Sequence, residues 1–165
     1  MRLSSLIRHL VLPHWWIMRL FPKSALQAIE RAITRSEASH RGEIRFVVES
    51  NLPIHALWHR QSARTRAIEL FSQLRVWDTE DNSGVLIYVQ LIDRHVEIIA
   101  DRGINAKVSE EFWRTVCRQL ETTFRAGRFE AGALEALEIV TTELTRHFPA
   151  AANHPNELPD APVVL

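Results

Sequence analysis

The chain has 165 residues, enough for one domain of ordinary size. Its 20 Lys+Arg balance 20 Asp+Glu, so no basic excess exists to neutralise a phosphate backbone, and nucleic acid is excluded as an expected partner. A content of 46% hydrophobic residues rules out a largely disordered chain, and the single cysteine, Cys117, rules out an intramolecular disulfide or a Cys-based zinc site.

Residues 1–21, MRLSSLIRHLVLPHWWIMRLF, read as a basic-aromatic amphipathic arm. Arg2, Arg8 and Arg19 interrupt it and Pro13 breaks it, so no stretch reaches the ~20 apolar residues of a membrane span. It lacks the clean apolar core and small-x-small cleavage site of a secretory signal, and a cytoplasmic location is expected. Leu3, Leu6, Ile7 and Leu10 recur at helical spacing, and Trp15 and Trp16 suit a headgroup zone. Two expectations stay open: contact with an anionic membrane surface or membrane-associated protein, or packing on the domain or a second subunit.

The domain proper is expected over residues 22–148. Pro22 and Ser24 open a first helix, with a capping box from Ser24 to Gln27 and an apolar stripe of Leu26, Ile29 and Ile33. Residues 43–50 (EIRFVVES) read as a strand. Helical periodicity returns over 55–75, with Ala63, Ala67, Leu70 and Leu74 on one face, followed by an acidic loop over 78–84. The branched run 85–92 suits a central strand covered on both faces. A turn at Asp93-Arg94 then makes an antiparallel hairpin with 95–100. Ser109 caps a helix buried through Trp113, Val116, Leu120 and Phe124, and a last helix over 129–147 turns Leu134, Leu137, Val140 and Leu144 inward. The Pro-rich tail, 149–165, is expected to be disordered. This helix-strand-helix-strand-strand-helix-helix order predicts an α/β protein, a three-layer α/β/α sandwich around a small mixed β-sheet.

The sequence holds no phosphate-loop or dinucleotide-binding glycine motif and no nucleophile elbow, and no residue is assigned as catalytic. His55 and His59 sit one helical turn apart but lack the Glu of a metalloprotease motif. Cys117 and the tryptophans Trp58, Trp77 and Trp113 read as core residues, although Trp77 stands beside the acidic loop. In that loop Asp78, Glu80, Asp81 and Asn82 are hard oxygen donors of the kind Ca²⁺ or Mg²⁺ takes, without the spacing of an EF-hand. Pairing back from Asp93-Arg94 sets Gly84 opposite Gly103, which brings Asp81 and Asn82 to Asp101, Arg102, Gly103 and Asn105. A strand from Glu43 running parallel to the Val85 strand adds Glu43 to the same rim. The usual preference for carboxyl ends of parallel strands points instead to Glu49, Ser50 and Asp93 at the opposite rim.

Three segments, Asn82-Ser-Gly-Val-Leu-Ile-Tyr-Val, Val96-Glu-Ile-Ile-Ala-Asp-Arg-Gly-Ile and Phe124-Arg-Ala-Gly-Arg-Phe-Glu-Ala-Gly132, in this order and spacing, resemble the TPM domain family. The resemblance spans roughly residues 24–148. It implies an α/β/α sandwich and a shallow acidic site that holds a divalent cation, Ca²⁺ especially, in some members. It also implies acid phosphatase activity as known for plant members, and a short cytoplasmic branch whose members accompany membrane-associated proteins. Asp81 matches the acid before the Gly-Val-Leu strand, and Gly103 the second glycine of the family's Gly-x-Gly-Leu-Glu turn. Asp101 stands in place of the first glycine, and Asn105 replaces the closing acid.

Together these readings give a cation site of Asp81, Asp101, Asp78 and Glu80, with Asn82, Arg102, Gly103 and Glu43 as further ligand-binding residues. The expected function is a cation-binding accessory or interaction module. The alternative is a metal-assisted phosphatase in which Arg102 steadies the phosphate.

Overall fold

The computed structural model describes residues 15–50, 61–151 and 154–165. Among these residues six helices and four strands follow in chain order: α1 (Trp15–Leu20), α2 (Lys23–Glu37), β1 (Ile44–Glu49), α3 (Ala63–Gln73), β2 (Val85–Gln90), β3 (His95–Ala100), the single turn α4 (Arg102–Asn105), α5 (Glu110–Arg125), α6 (Phe129–His147) and β4 (Val163–Val164). The sheet order is β3-β2-β1-β4. β1 runs parallel to both β2 and β4, and β2 is antiparallel to β3, so the sheet is mixed.

Strand alternation divides the core into two layers. Ile44, Phe46 and Val48 of β1, with Val85, Ile87 and Val89 of β2, face the buried stripes of α2, α5 and α6. Val47, Leu86 and Tyr88 face the other way, onto Ala67 and Leu70 of α3 and onto Val76. Both sheet faces are therefore covered, which is why β1 and β2 are buried at every position. The architecture is the α/β/α sandwich read from the sequence.

Several local expectations are corrected. No capping box forms at α2: Pro22 is its N-cap without a side-chain bond, and Ala25 and Ser36 join Ile29 and Ile33 on the buried face, while Leu26 is half-buried. α3 begins at Ala63, capped by Ser62, whose hydroxyl accepts from Thr65 N–H. The expected earlier turns, with His55, Trp58 and His59, lie outside the described residues. Ser109 does cap α5, accepting from Phe112 N–H.

The hairpin register also differs. Gln90 pairs with His95, leaving a four-residue connection rather than a two-residue turn, and Gly84 falls opposite Asp101, whose N–H donates to Gly84 O at 2.9 Å. Arg94 takes φ 53°, and Leu91 and Ile92 are buried in the connection rather than paired across the strands. The shift is two residues, so every side chain keeps its face.

Residues beyond both ends of the expected domain, 22–148, pack onto it. Ile17 and Phe21, placed in the arm by their sequence, are fully buried, and Phe21 packs edge-on against Phe124 and Phe129 and tilted against Phe46. At the other end the tail, expected to be disordered, is seated. Val163 and Val164 pair with Val47 and Val48, and Ser50 N–H donates to Leu165 O at 2.9 Å. Prolines keep its helical periodicity low, yet a two-residue parallel edge strand needs none.

Candidate functional site

The N-terminal ends of β1 and β2 and the C-terminal end of β3 lie at one rim of the sheet. The loop leading into β2 is shaped by its own backbone. Asn82 takes φ 52°, and the buried Thr79 hydroxyl accepts from Ser83 N–H at 3.1 Å. Across the rim the β3–α4 turn presses against this loop. Gly103 N–H donates to Asn82 O at 2.9 Å, and a Cβ at Gly103 would stand 2.5 Å from Asp81 O and 2.6 Å from Asn82 O. Gly84 is equally constrained, since a Cβ there would lie 1.9 Å from Val76 O. Only glycine permits either approach.

Asp81, Asn82, Asp101, Arg102 and Gly103 are thus brought together as expected. Asp101 is the N-cap of α4; its Oδ1 accepts Arg102 N–H at 2.7 Å, while its Oδ2 is buried and accepts no hydrogen bond. Asp81 Oδ2 forms an ion pair with Arg41 Nη1 at 2.6 Å, and Arg102 Nε donates to Asn82 Oδ1 at 2.7 Å. Arg41 is itself anchored by its Nε donating to Pro149 O.

Three expected members are engaged elsewhere. Asp78 is exposed and pairs with Arg75 at 2.7 Å. Glu80 is exposed, and its backbone N–H donates to the Glu157 carboxylate at 3.2 Å. Glu43 is buried, and its two oxygens accept Glu157 N–H at 3.0 Å and Leu158 N–H at 3.2 Å. Burial raises its carboxyl above the usual range, against the lowering effect of those two donors. Trp77 is half-exposed beside the loop rather than buried, whereas Trp113 is core. Cys117 is half-buried against the core rather than within it, and burial pushes its thiol up to about 12, which leaves it unreactive.

The sequence reading missed Arg41, His154 and Glu157. The prolines of the tail argue against a seated segment, although the His-x-x-Glu spacing at 154–157 stands in plain view. The opposite rim is structural. Arg66 Nη2 meets Glu49 Oε1 at 2.7 Å, and Tyr88 Oη donates to Glu49 Oε2 at 2.6 Å, so the buried carboxylate is fully partnered. Ser50 is tied to Leu165.

A family model described as the TPM domain matches residues 18–143, most of the chain. The chain belongs to the TPM domain family. The match begins at residue 18, ahead of the buried Phe21. Among solved structures, the TPM chain is similar to the NMR structure of the BA42 protein from the psychrophilic bacterium Bizionia argentinensis. Identity is 31%, the TM-score is 0.74, and the match covers 86% of this chain and 93% of that one. A search of curated proteins finds no match. Among the described residues of this TPM protein no helix is long and apolar enough to cross a membrane.

Proposed function

We propose that this TPM protein is a divalent-cation-binding accessory module, taking Ca²⁺ or Mg²⁺ at the Asp81–Asp101 rim and acting with a membrane-associated partner. The observation that carries the reading is Asp101 Oδ2, buried and without a donor on a rim shared with a second carboxylate. An unpaired buried acceptor costs about 1–3 kcal/mol, more when charged, and a hard dication offsets that cost. Asn82 Oδ1 is a further oxygen donor at the rim, and the exposed Asp78 and Glu80 add to the negative field of the loop. The ion competes with Arg41 for Asp81, so the site is of modest affinity. The basic, apolar sequence of residues 1–14, followed by Trp15 and Trp16, supports a peripheral position at the cytoplasmic face of a membrane.

Arg41 and Arg102 beside the carboxylates favour a second reading, metal-assisted phosphomonoester hydrolysis, in which the cation polarises the phosphoryl group. It ranks second because both guanidinium groups are already engaged, with Asp81 and Asn82.

Thermal unfolding with and without Ca²⁺ tests the first reading. The wild-type midpoint rises with the ion and that of Asp81→Ala does not; an undiminished rise in the variant overturns the assignment. Ca²⁺-dependent hydrolysis of p-nitrophenyl phosphate that Asp81→Ala abolishes would promote the second reading over the first.

A further inference from the structure

We propose that Glu43, His154 and Glu157 form a second, chemically different site, for a zinc-class transition-metal dication that fastens the C-terminal segment to the N-terminal end of β1. One donor atom from each residue lies within 4.8 Å of the other two, and His154 Nε2 stands 4.0 Å from Glu157 Oε1. Bonds of about 2.1 Å at the tetrahedral angle set donors roughly 3.4 Å apart, so side-chain adjustments on the order of 1 Å close the group around an ion.

Three features beyond proximity point to a ligand. First, His154 Nε2 is buried and accepts or donates no hydrogen bond, although an imidazole nitrogen out of water normally has a partner. Second, the two carboxylates are held in position by backbone donors rather than by competing cations. Glu43 receives Glu157 N–H and Leu158 N–H, and Glu157 receives Glu80 N–H. Each carboxylate keeps free lone pairs after those bonds, which is the outer-shell arrangement that orients metal ligands. Third, the site is sheltered: the side chains of His154 and Glu157 are 13% and 22% exposed, and Glu43 is 1% exposed.

Donor chemistry separates this site from the rim. An imidazole nitrogen with two carboxylates suits Zn²⁺ and its transition-metal neighbours, whereas the all-oxygen Asp81–Asp101 rim suits Ca²⁺ or Mg²⁺. The proposal does not rest on the cation reading of the rim. Its consequence is mechanical. The ligands His154 and Glu157 lie nine and six residues before the start of β4, so a bound ion ties the segment leading to β4, and with it the edge of β1, to the base of the sheet.

Titration of the full chain with Co²⁺, read by visible absorption, and with Zn²⁺ in chelator competition tests the site. One equivalent is expected to bind with the absorption of four- or five-coordinate Co²⁺. His154→Ala and Glu157→Gln are each expected to weaken Zn²⁺ by about ten-fold or more, the scale of lost metal-site groups. Asp81→Ala keeps Zn²⁺ affinity, and His154→Ala keeps any Ca²⁺-induced thermal shift, so the two sites fail independently. Protection of the Ser50 amide, bonded to Leu165 O, reports whether β4 stays seated in each variant. Zn²⁺ affinity unchanged in both variants, or no stoichiometric Zn²⁺ binding by the wild type, overturns the proposal.

Discussion

At the scale of single residues the rim depends on a backbone contact that no side chain could replace. Gly103 lets the β3–α4 turn lie against the carbonyls of Asp81 and Asn82. A methyl group there meets backbone oxygens, which cannot rotate away, so the two loops must separate. Gly103→Ala is expected to cost about 1–3 kcal/mol in urea unfolding, the range of overpacking, and to diminish the Ca²⁺-induced thermal shift. A variant as stable as the wild type would mean that the loops are not pressed together. The sequence places Asp81, Asn82, Asp101 and Gly103 at one edge because strand pairing and alternation are short-range rules. It does not reveal Arg41, because the ion pair to Asp81 joins residues forty positions apart with no shared motif.

At the scale of elements the burial of α1 and of the residue after it was the least legible. Ile17 and Phe21 lie in a run whose arginines and paired tryptophans signal a surface arm, yet both are fully buried, and Phe21 packs among Phe46, Phe124 and Phe129. Phe21→Ala is expected to destabilise by about 3–5 kcal/mol, as for other buried aromatic truncations. A loss under 1 kcal/mol would make α1 an appendage after all. By contrast, α5 and α6 were readable to within a residue, since their apolar stripes are continuous and Ser109 caps the first of them. The Glu49–Arg66–Tyr88 group was not readable, because a charged residue in an apolar strand gives no sign of its partner on the facing helix. Arg66→Met should cost about 3–5 kcal/mol, the penalty for stranding a buried carboxylate; a neutral result would show that Glu49 reaches water.

At the scale of the whole molecule the C-terminal segment closes the fold over a layer of buried acids. Burial and the nearby Glu43 and Asp160 carboxylates push the Glu37 carboxyl up to about 9 from 4.5, while its Oε1 accepts Ile44 N–H. A folded-state value above the unfolded one means the fold holds an extra proton between the two, so stability falls as pH rises from about 4.5 to about 9. His40 acts in the opposite sense. Burial pushes it down to about 4 from 6.5, and stability falls as pH drops through that window. Glu37→Gln, which keeps the acceptor for Ile44 and cannot ionise, is expected to flatten the alkaline loss measured by urea midpoints and leave the acid limb intact. The flattening is incomplete because burial also raises Glu43 and Glu97. An alkaline limb unchanged by the variant would contradict the assignment. The place of Asp160 beside Glu37 escaped the sequence because a Pro-rich tail carries no periodicity from which docking can be read.

The central claim is that the Asp81–Asp101 rim takes a divalent cation, and amide chemical shifts of the isotope-labelled full chain under Ca²⁺ titration test it most directly. Shifts confined to residues 81–84 and 101–105 are predicted, saturating together and absent in Asp81→Ala. An unchanged spectrum at millimolar Ca²⁺, or shifts that avoid both segments, would contradict it.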